Sequence, residues 1–200
     1  MSWIRLISFD EAEGKLKRLY QKVTGPNNNV DNIMMVHGLR PHTMTGHMAL
    51  YKNVLHNSNN TLPKWYLETL GVFVSLLNNC DYCVEHHFSG LKRLINDEKS
   101  DAIKESLENK KFNSVLNEAY SEGLKYAEKL TKSPSELLKT DVEKLRKKGI
   151  TDGEILEINQ VVSYFNYANR TVLGLGVSTE GDILGLSPNN SDDENNWSHQ

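Results

Sequence analysis

Apolar residues recur every three or four positions along most of this chain, the spacing that places them on one face of an α-helix. One clear stripe is formed by Leu67, Leu70, Phe73, Val74 and Leu77. No stretch alternates β-branched and polar residues over the length of a strand. The periodic segments predict helices over 10–23, 30–39, 41–55, 62–77, 80–95, 101–107, 114–131, 140–148 and 155–173. The sequence therefore predicts an all-α fold.

The length of the chain limits how these helices are organised. Its 200 residues favour one domain, or two small repeats that share a core. We predict one helical domain over 1–186, with a first half at about 30–97 and a degenerate second half at about 98–177. Residues 187–200 are polar and acidic, so we expect them to form a disordered tail.

The division into halves depends on a weak internal repeat. An offset of 86 residues places Asn166 under Cys80 and Asn169 under Cys83. An offset of 89 produces a different set of matches, so the register stays open. The alternative explanation is that any two amphipathic helices have similar apolar patterns, so the matches need no repeat.

Composition and charge narrow the class of protein. The hydrophobic fraction is 38% and the formal net charge is −3, which indicates neither a disordered chain nor a nucleic-acid footprint. No apolar run approaches the roughly 18 residues that a membrane span needs. The first ten residues lack the features of a signal peptide. We therefore expect a cytoplasmic protein with no membrane or nucleic-acid partner.

Both cysteines of the chain lie in one 20-residue stretch that also carries a glutamate and two histidines. Residues of an α-helix advance by about 100° each, so Cys80, Cys83 and His87 share one face. His86 falls further round the helix and is expected to lie outside the group. Glu68 precedes Cys80 by twelve positions. This set has the composition of a dithiol redox site.

Each member of the set has a chemical reason to be there. A thiol reacts as its thiolate, which the first turn of a helix favours, and Asn79 is the expected N-cap. His87 is placed to take a proton from Cys83, and Glu68 to orient that histidine or exchange protons with it. Residues three apart on a helix are close enough for Cys80 to form a disulfide with an oxidised Cys83.

Other readings of the cysteines remain open. They could be buried core thiols, because cysteine is among the most buried residue types. A structural zinc site needs a second ligand pair, which the sequence lacks at suitable spacing. A stabilising disulfide would close too short a loop to gain much entropy. Three further histidines, His37, His42 and His47, are expected at the surface or at an interface rather than as ligands.

The order Glu68, Cys80, Cys83, His87, or Glu-x11-Cys-x2-Cys-x3-His, resembles the signature of the alkylhydroperoxidase AhpD family, within the carboxymuconolactone decarboxylase-like superfamily. The stretches 79–87 and 152–177 resemble its peroxidase-related branch. The resemblance covers roughly residues 9–177. It implies an all-helical fold of two related halves, assembled into a trimer or hexamer.

The family also implies an activity and a role for each residue. Its members reduce hydroperoxides through a cysteine pair, so Cys83 would form the sulfenic acid and Cys80 would resolve it, with His87 and Glu68 in the proton relay. The electron donor would be a dithiol, on a lipoylated or thioredoxin-like protein, and we expect no cofactor and no metal. Tyr82 departs from AhpD, which has a histidine there; tyrosine, with a pKa of about 10, cannot accept a proton at neutral pH.

The expected function is therefore a thiol-dependent peroxidase that acts on hydrogen peroxide or organic hydroperoxides. Two alternatives are a lyase of the lactone-decarboxylase type and a non-enzymatic redox-sensing protein. Several large apolar residues, among them Met34, Met35, Met48 and Leu50, also predict a homo-oligomer.

Overall fold

The computed structural model describes residues 2–188 and 196–199. Nine α-helices and no strand form within these two stretches, so the predicted all-α fold is confirmed. The helices are α1 Gly14–Val23, α2 Asn32–Met35, α3 Pro41–Leu55, α4 Lys64–Leu77, α5 Asp81–Leu94, α6 Asp97–Glu108, α7 Glu118–Lys132, α8 Lys139–Lys147 and α9 Asp152–Leu175. None of these helices combines the length and apolar character that a membrane crossing requires.

Helix α4 is the centre of the fold. It packs against α3, α5, α6, α7 and α9, and every residue in 66–75 is buried. Gly71 lies directly against the ring of Phe165 on α9, where even a methyl group would clash. The missing side chain therefore allows α4 and α9 to approach closely, which brings the later part of the chain to the cysteine segment.

The turn between α4 and α5 differs by one residue from the prediction. Asn79 was expected to cap the helix that carries the cysteines, α5. Its φ is instead +55°, and Cys80 occupies the N-cap position. Asparagine tolerates this left-handed conformation better than most residues, which permits a tight connection after Leu77. The N–H of Cys80 donates to the carbonyl oxygen of Ser75 at 2.9 Å and closes the turn. Both cysteines still lie at the start of α5, as predicted.

Helix ends are set mainly by side-chain caps. Asn96 and Asn117 each accept a hydrogen bond from the backbone N–H three residues later, so α6 begins earlier and α7 later than predicted. Thr151 and Glu154 form a capping box at the start of α9. The predicted helix over 30–39 is reduced to α2, because the chain turns before Pro41.

The internal repeat remains a prediction. The offset of 86 residues would align the turn between α4 and α5 with residues 164–166. Those residues lie inside α9, which is continuous for 24 residues and ends at Gly176 in the left-handed conformation. The break between α4 and α5 is thus not repeated in the second half.

The disorder of the tail over 187–200 stays a prediction, and its described residues contact the domain. Residues 189–195 lie outside the described residues. In the stretch 196–199, Trp197 is only 4% exposed, and the ammonium of Lys52 donates to the carbonyl oxygen of Asn196 at 2.6 Å. His199 forms an isolated antiparallel bridge with Pro188. These residues pack against the domain because they carry an aromatic side chain and find polar partners on it.

Candidate active site

The two thiols lie next to each other at the start of α5. The Sγ atoms of Cys80 and Cys83 are 2.9 Å apart, and both cysteines are free and buried. Cys80 is the N-cap and Cys83 the third helical residue, so both lie where unpaired N–H groups favour negative charge. This arrangement allows one sulfur to reach the other with little movement of the backbone.

The contact between the sulfurs moves their pKa values in opposite directions. The hydrogen bond from Cys83, with its backbone N–H, lowers the pKa of Cys80. The same bond and burial raise the pKa of Cys83 well above its usual value. One shared proton therefore stays on Cys83 while the first negative charge rests on Cys80. From the sequence, Cys83 was predicted to lose its proton first, to His87. That prediction considered each thiol without the contact between the two sulfurs.

The predicted histidine–glutamate pair is present. Nδ1 of His87 lies 2.8 Å from Oε2 of Glu68, which projects from α4 and is 4% exposed. An ionised carboxylate only accepts hydrogen bonds, so the histidine donates from Nδ1 and keeps Nε2 for proton exchange. The His87 ring packs edge-on against Phe165, with centroids 4.5 Å apart. Position and orientation of the imidazole are thus fixed by α4 and α9.

A small cavity joins these groups. We call it the thiol cavity; its volume is about 40 Å³, room for a few water-sized molecules. Its walls include Cys83, His87 and Glu68, whereas Cys80 is fully buried behind it. Residues 185–187 and His199 line it from the C-terminal part of the chain. The sulfur that a small substrate can reach is therefore that of Cys83.

His86 joins the cavity as well, contrary to the prediction that it lies outside the group. Its Nε2 lies 3.1 Å from Oδ2 of Asp182, which also accepts the hydroxyl of Tyr82 at 2.7 Å. The backbone N–H of Asn32 donates to the same carboxylate at 3.0 Å. Helical spacing alone does not place His86 with the thiols, because its partner Asp182 comes from the segment after α9. Nothing local in the sequence links the two.

Asparagines of α9 and the α4–α5 turn support the thiols from behind. Asn169 is fully buried, donates to Oγ of Ser75 at 3.1 Å and accepts from Asn78 at 2.9 Å. It also hydrogen-bonds Cys83, which partly opposes the rise in the pKa of that thiol. The weak repeat had aligned Asn169 with Cys83, and the structure places the two residues in contact.

His47 is the second histidine that sequence reasoning misplaced. It was expected at the surface or an interface, but it is 2% exposed and lines the thiol cavity, with Nε2 3.3 Å from the hydroxyl of Tyr164. His37 is also buried, and only His42 of the three is exposed. The signal was present: Met44, His47 and Met48 follow the apolar spacing of α3.

The burial of His47 predicts a pH-dependent stability. Burial, with the nearby His37, lowers the pKa of His47 from 6.5 to about 3. The unfolded chain then takes up the proton first, so the free energy of unfolding should fall as pH drops below 6.5, by about 2 kcal/mol between pH 7 and 5. We expect His47→Phe to lose correspondingly less over this interval. Urea unfolding at both pH values measures this, and equal losses for the two proteins would refute it.

The described residues hold no arrangement typical of a metal centre. Within 2–188 and 196–199, no group of three or more histidine, cysteine, aspartate or glutamate side chains is placed to hold a metal ion. The histidines around the thiol cavity are instead paired with carboxylates or packed on aromatic rings. The chemistry that this arrangement supports is proton transfer next to a thiol pair.

No protein-family model matches the chain, and no curated protein matches it significantly. Solved structures do match. A peroxidase-related protein from Ralstonia eutropha JMP134, described as an alkylhydroperoxidase AhpD core, has a TM-score of 0.77 and 22% identity, covering 92% of this chain and 96% of its own. A peroxidase-related protein from Silicibacter sp. TM1040 has a TM-score of 0.76 and 21% identity, covering 92% and 95%.

A third match carries a different activity in its name. The debrominase Bmp8 has a TM-score of 0.68 and 19% identity, and the alignment covers 82% of this chain and 85% of that protein. Identities this low establish the shared fold and leave the reaction to be argued from the site itself. The resemblance drawn from the sequence is confirmed at that level: the chain has the all-α fold of the alkylhydroperoxidase AhpD core.

Proposed function

We propose that the protein is a thiol-dependent peroxidase that reduces hydrogen peroxide or organic hydroperoxides through a dithiol/disulfide cycle of Cys80 and Cys83. One observation supports this most strongly. Two thiols lie 2.9 Å apart, and the one that lines the cavity shares it with a histidine–glutamate pair. A role as buried core thiols would not explain why the cavity beside Cys83 is lined with proton-exchanging groups.

The first step is the oxidation of Cys83. His87, held by Glu68, accepts the proton that leaves the dithiol, and the remaining proton moves between the two sulfurs. The Cys83 thiolate attacks one peroxide oxygen, so an S–O bond forms and the O–O bond breaks. The sulfur loses two electrons and becomes a sulfenic acid, and the other oxygen leaves as an alcohol or water after taking a proton.

The second step resolves the sulfenic acid. The Cys80 sulfur attacks the Cys83 sulfur, an S–S bond forms, and the hydroxyl group leaves as water with the proton from Cys80. The disulfide then needs an external dithiol. Because Cys80 is fully buried and Cys83 is 3% exposed, a dithiol on a slender arm, such as a lipoyl group, suits the site better than a thiol on a broad protein surface.

A turnover assay tests the proposal against its alternatives. With an excess of a small dithiol, a peroxidase should consume many equivalents of peroxide per chain, whereas a redox-sensing protein should stop after one. A lyase would instead change the absorbance of a muconolactone substrate without peroxide. The match to a debrominase makes a brominated substrate a useful further control. Failure to consume more than one equivalent of any hydroperoxide would refute the proposal.

We also propose that the protein is a homo-oligomer, a trimer or a hexamer. Of the apolar residues first considered, Met34 and Met48 are core residues, but Leu50 is 39% exposed. Tyr167 and Leu173 are similarly exposed on α9, which packs beside α3. Light scattering should give three or six times the chain mass of 22.7 kDa at micromolar concentration, and Tyr167→Glu should lower it. A mass near one chain would refute this.

A further inference from the structure

A second histidine–carboxylate pair faces the thiol cavity. His86 lies 3.1 Å from Asp182, and its neighbour in sequence, His87, lies 2.8 Å from Glu68. Both rings line the same cavity as Cys83. We propose that the two pairs divide the proton transfers, with His86 as the general acid that protonates the leaving oxygen. This inference rests on the proposed peroxidase function.

The chemistry of the first step calls for such an acid. When the O–O bond of a hydroperoxide breaks, the leaving oxygen carries a negative charge, and its conjugate acid, water or an alcohol, has a pKa of about 16. The thiol side loses a proton in the same step while the leaving side gains one. A single imidazole would have to act as base and acid in turn, whereas two separately held imidazoles can be in the correct states at once.

The contacts around His86 fix it for this role. An ionised Asp182 can only accept, so His86 donates from Nε2 and its other ring nitrogen remains for proton exchange. The carboxylate is held in turn by the hydroxyl of Tyr82 and the backbone N–H of Asn32. The side chain of Asp182 is 1% exposed, so the His86–Asp182 pair is shielded from bulk water. Asp182 acts through His86 and is a positioning residue.

Tyr82 is a poor alternative as the proton donor. Burial, with the charge of Asp182, raises the pKa of Tyr82 well above its usual value of 10. Its hydroxyl is already donated to Asp182 at 2.7 Å, and the backbone N–H of Ile33 donates to that oxygen at 3.2 Å. The Tyr82 ring lies 4.6 Å from the His86 ring and helps to hold it. The hydroxyl is therefore committed to structure rather than to proton transfer.

When the hydroperoxide oxidises Cys83, the electron pair of the Cys83 thiolate forms the S–O bond. The O–O bonding pair moves to the leaving oxygen, which takes the proton of the His86 imidazolium and departs as alcohol or water. His86 is left neutral and regains a proton from solvent before the next cycle. The two electrons come from the sulfur, so no co-reactant beyond the hydroperoxide enters this step.

The leaving group provides the test. Reduced full-length protein is mixed with hydrogen peroxide or with peracetic acid, and the single oxidation of Cys83 is followed by stopped flow. Acetate is the anion of an acid with a pKa of about 4 to 5 and leaves without a proton. We expect His86→Gln to slow the reaction with hydrogen peroxide by about 10²-fold and the reaction with peracetic acid by no more than about threefold. An equal loss with both peroxides, or no loss with either, would overturn the inference.

Two further variants separate this role from a structural one. Asp182→Asn keeps the shape of the side chain, and we expect it to show the same selectivity for peracetic acid with a smaller loss. His42→Gln changes an exposed histidine of α3 outside the thiol cavity, and it should keep both rates at the wild-type level. If Asp182→Asn does not fold by circular dichroism, the contrast between His86→Gln and His42→Gln still decides.

The failure of this inference differs from that of the proposed function. If neither peroxide oxidises the wild-type thiols, the peroxidase proposal itself fails. If both peroxides react with the wild type and His86→Gln shows no preference between them, the peroxidase stands and only the acid role of His86 is lost.

Discussion

Replacing Cys83 with serine is expected to abolish peroxide turnover, with a loss of about 10³-fold or more. Cys83 is the sulfur that lines the thiol cavity, and a serine hydroxyl cannot form the sulfenic acid. Cys80 remains in this variant but lies fully buried behind the cavity, so it should react slowly. Consumption of hydrogen peroxide with an excess of dithiothreitol measures the effect.

The matched control is Cys80→Ser. It keeps the reactive sulfur and removes the sulfur to which Cys83 donates its hydrogen bond, which is the main cause of the raised pKa of Cys83. The first oxidation should therefore survive, while recycling through the disulfide should not. Rapid turnover by Cys83→Ser, with Cys80→Ser inactive even in the first oxidation, would reverse the roles of the two cysteines.

Replacing His87 with glutamine is expected to slow the first oxidation by about 10²-fold. Glutamine can still contact Glu68, but it cannot take up the proton that leaves the dithiol. Glu68→Gln should act in the same direction and more weakly, because the imidazole stays while its orienting carboxylate is lost. Stopped-flow loss of free thiol on mixing with peroxide measures both.

The control for this series is His42→Gln, which changes an exposed histidine of α3 outside the thiol cavity. It should react at the wild-type rate. If His87→Gln also reacts at that rate, the Glu68–His87 pair has no part in activating the thiols, and its role is to hold α4 against α5.

Local sequence signals predicted much of the fold. Helix α3 runs over Pro41–Leu55 as expected, because proline at its first position and an apolar stripe both act within the segment. The capping box of Thr151 and Glu154 starts α9 for the same reason. Cys80 caps α5, and Cys83 and His87 lie in the first two turns of that helix, so local spacing groups them. In each case the deciding contacts lie within one or two turns of helix.

The rest of the site depends on contacts between distant parts of the chain. Asp182 meets His86 across 96 positions, and His47 meets Tyr164 across 117. The periodicity of one segment cannot predict such pairs, because it carries no information about which distant segment packs against it. The split between the two thiol pKa values was missed for a related reason, since it arises from the contact between the sulfurs and from burial rather than from the helix end alone.

The central claim is that peroxide oxidises Cys83 and that Cys80 then closes a disulfide with it. Mass spectrometry after brief exposure to peroxide, with a sulfenic-acid trap present, tests it directly. The wild-type protein should show a disulfide between Cys80 and Cys83, and Cys80→Ser should carry the trap on Cys83. If peroxide produces neither a sulfenic acid nor a disulfide at these cysteines, the pair is structural and the peroxidase account is wrong.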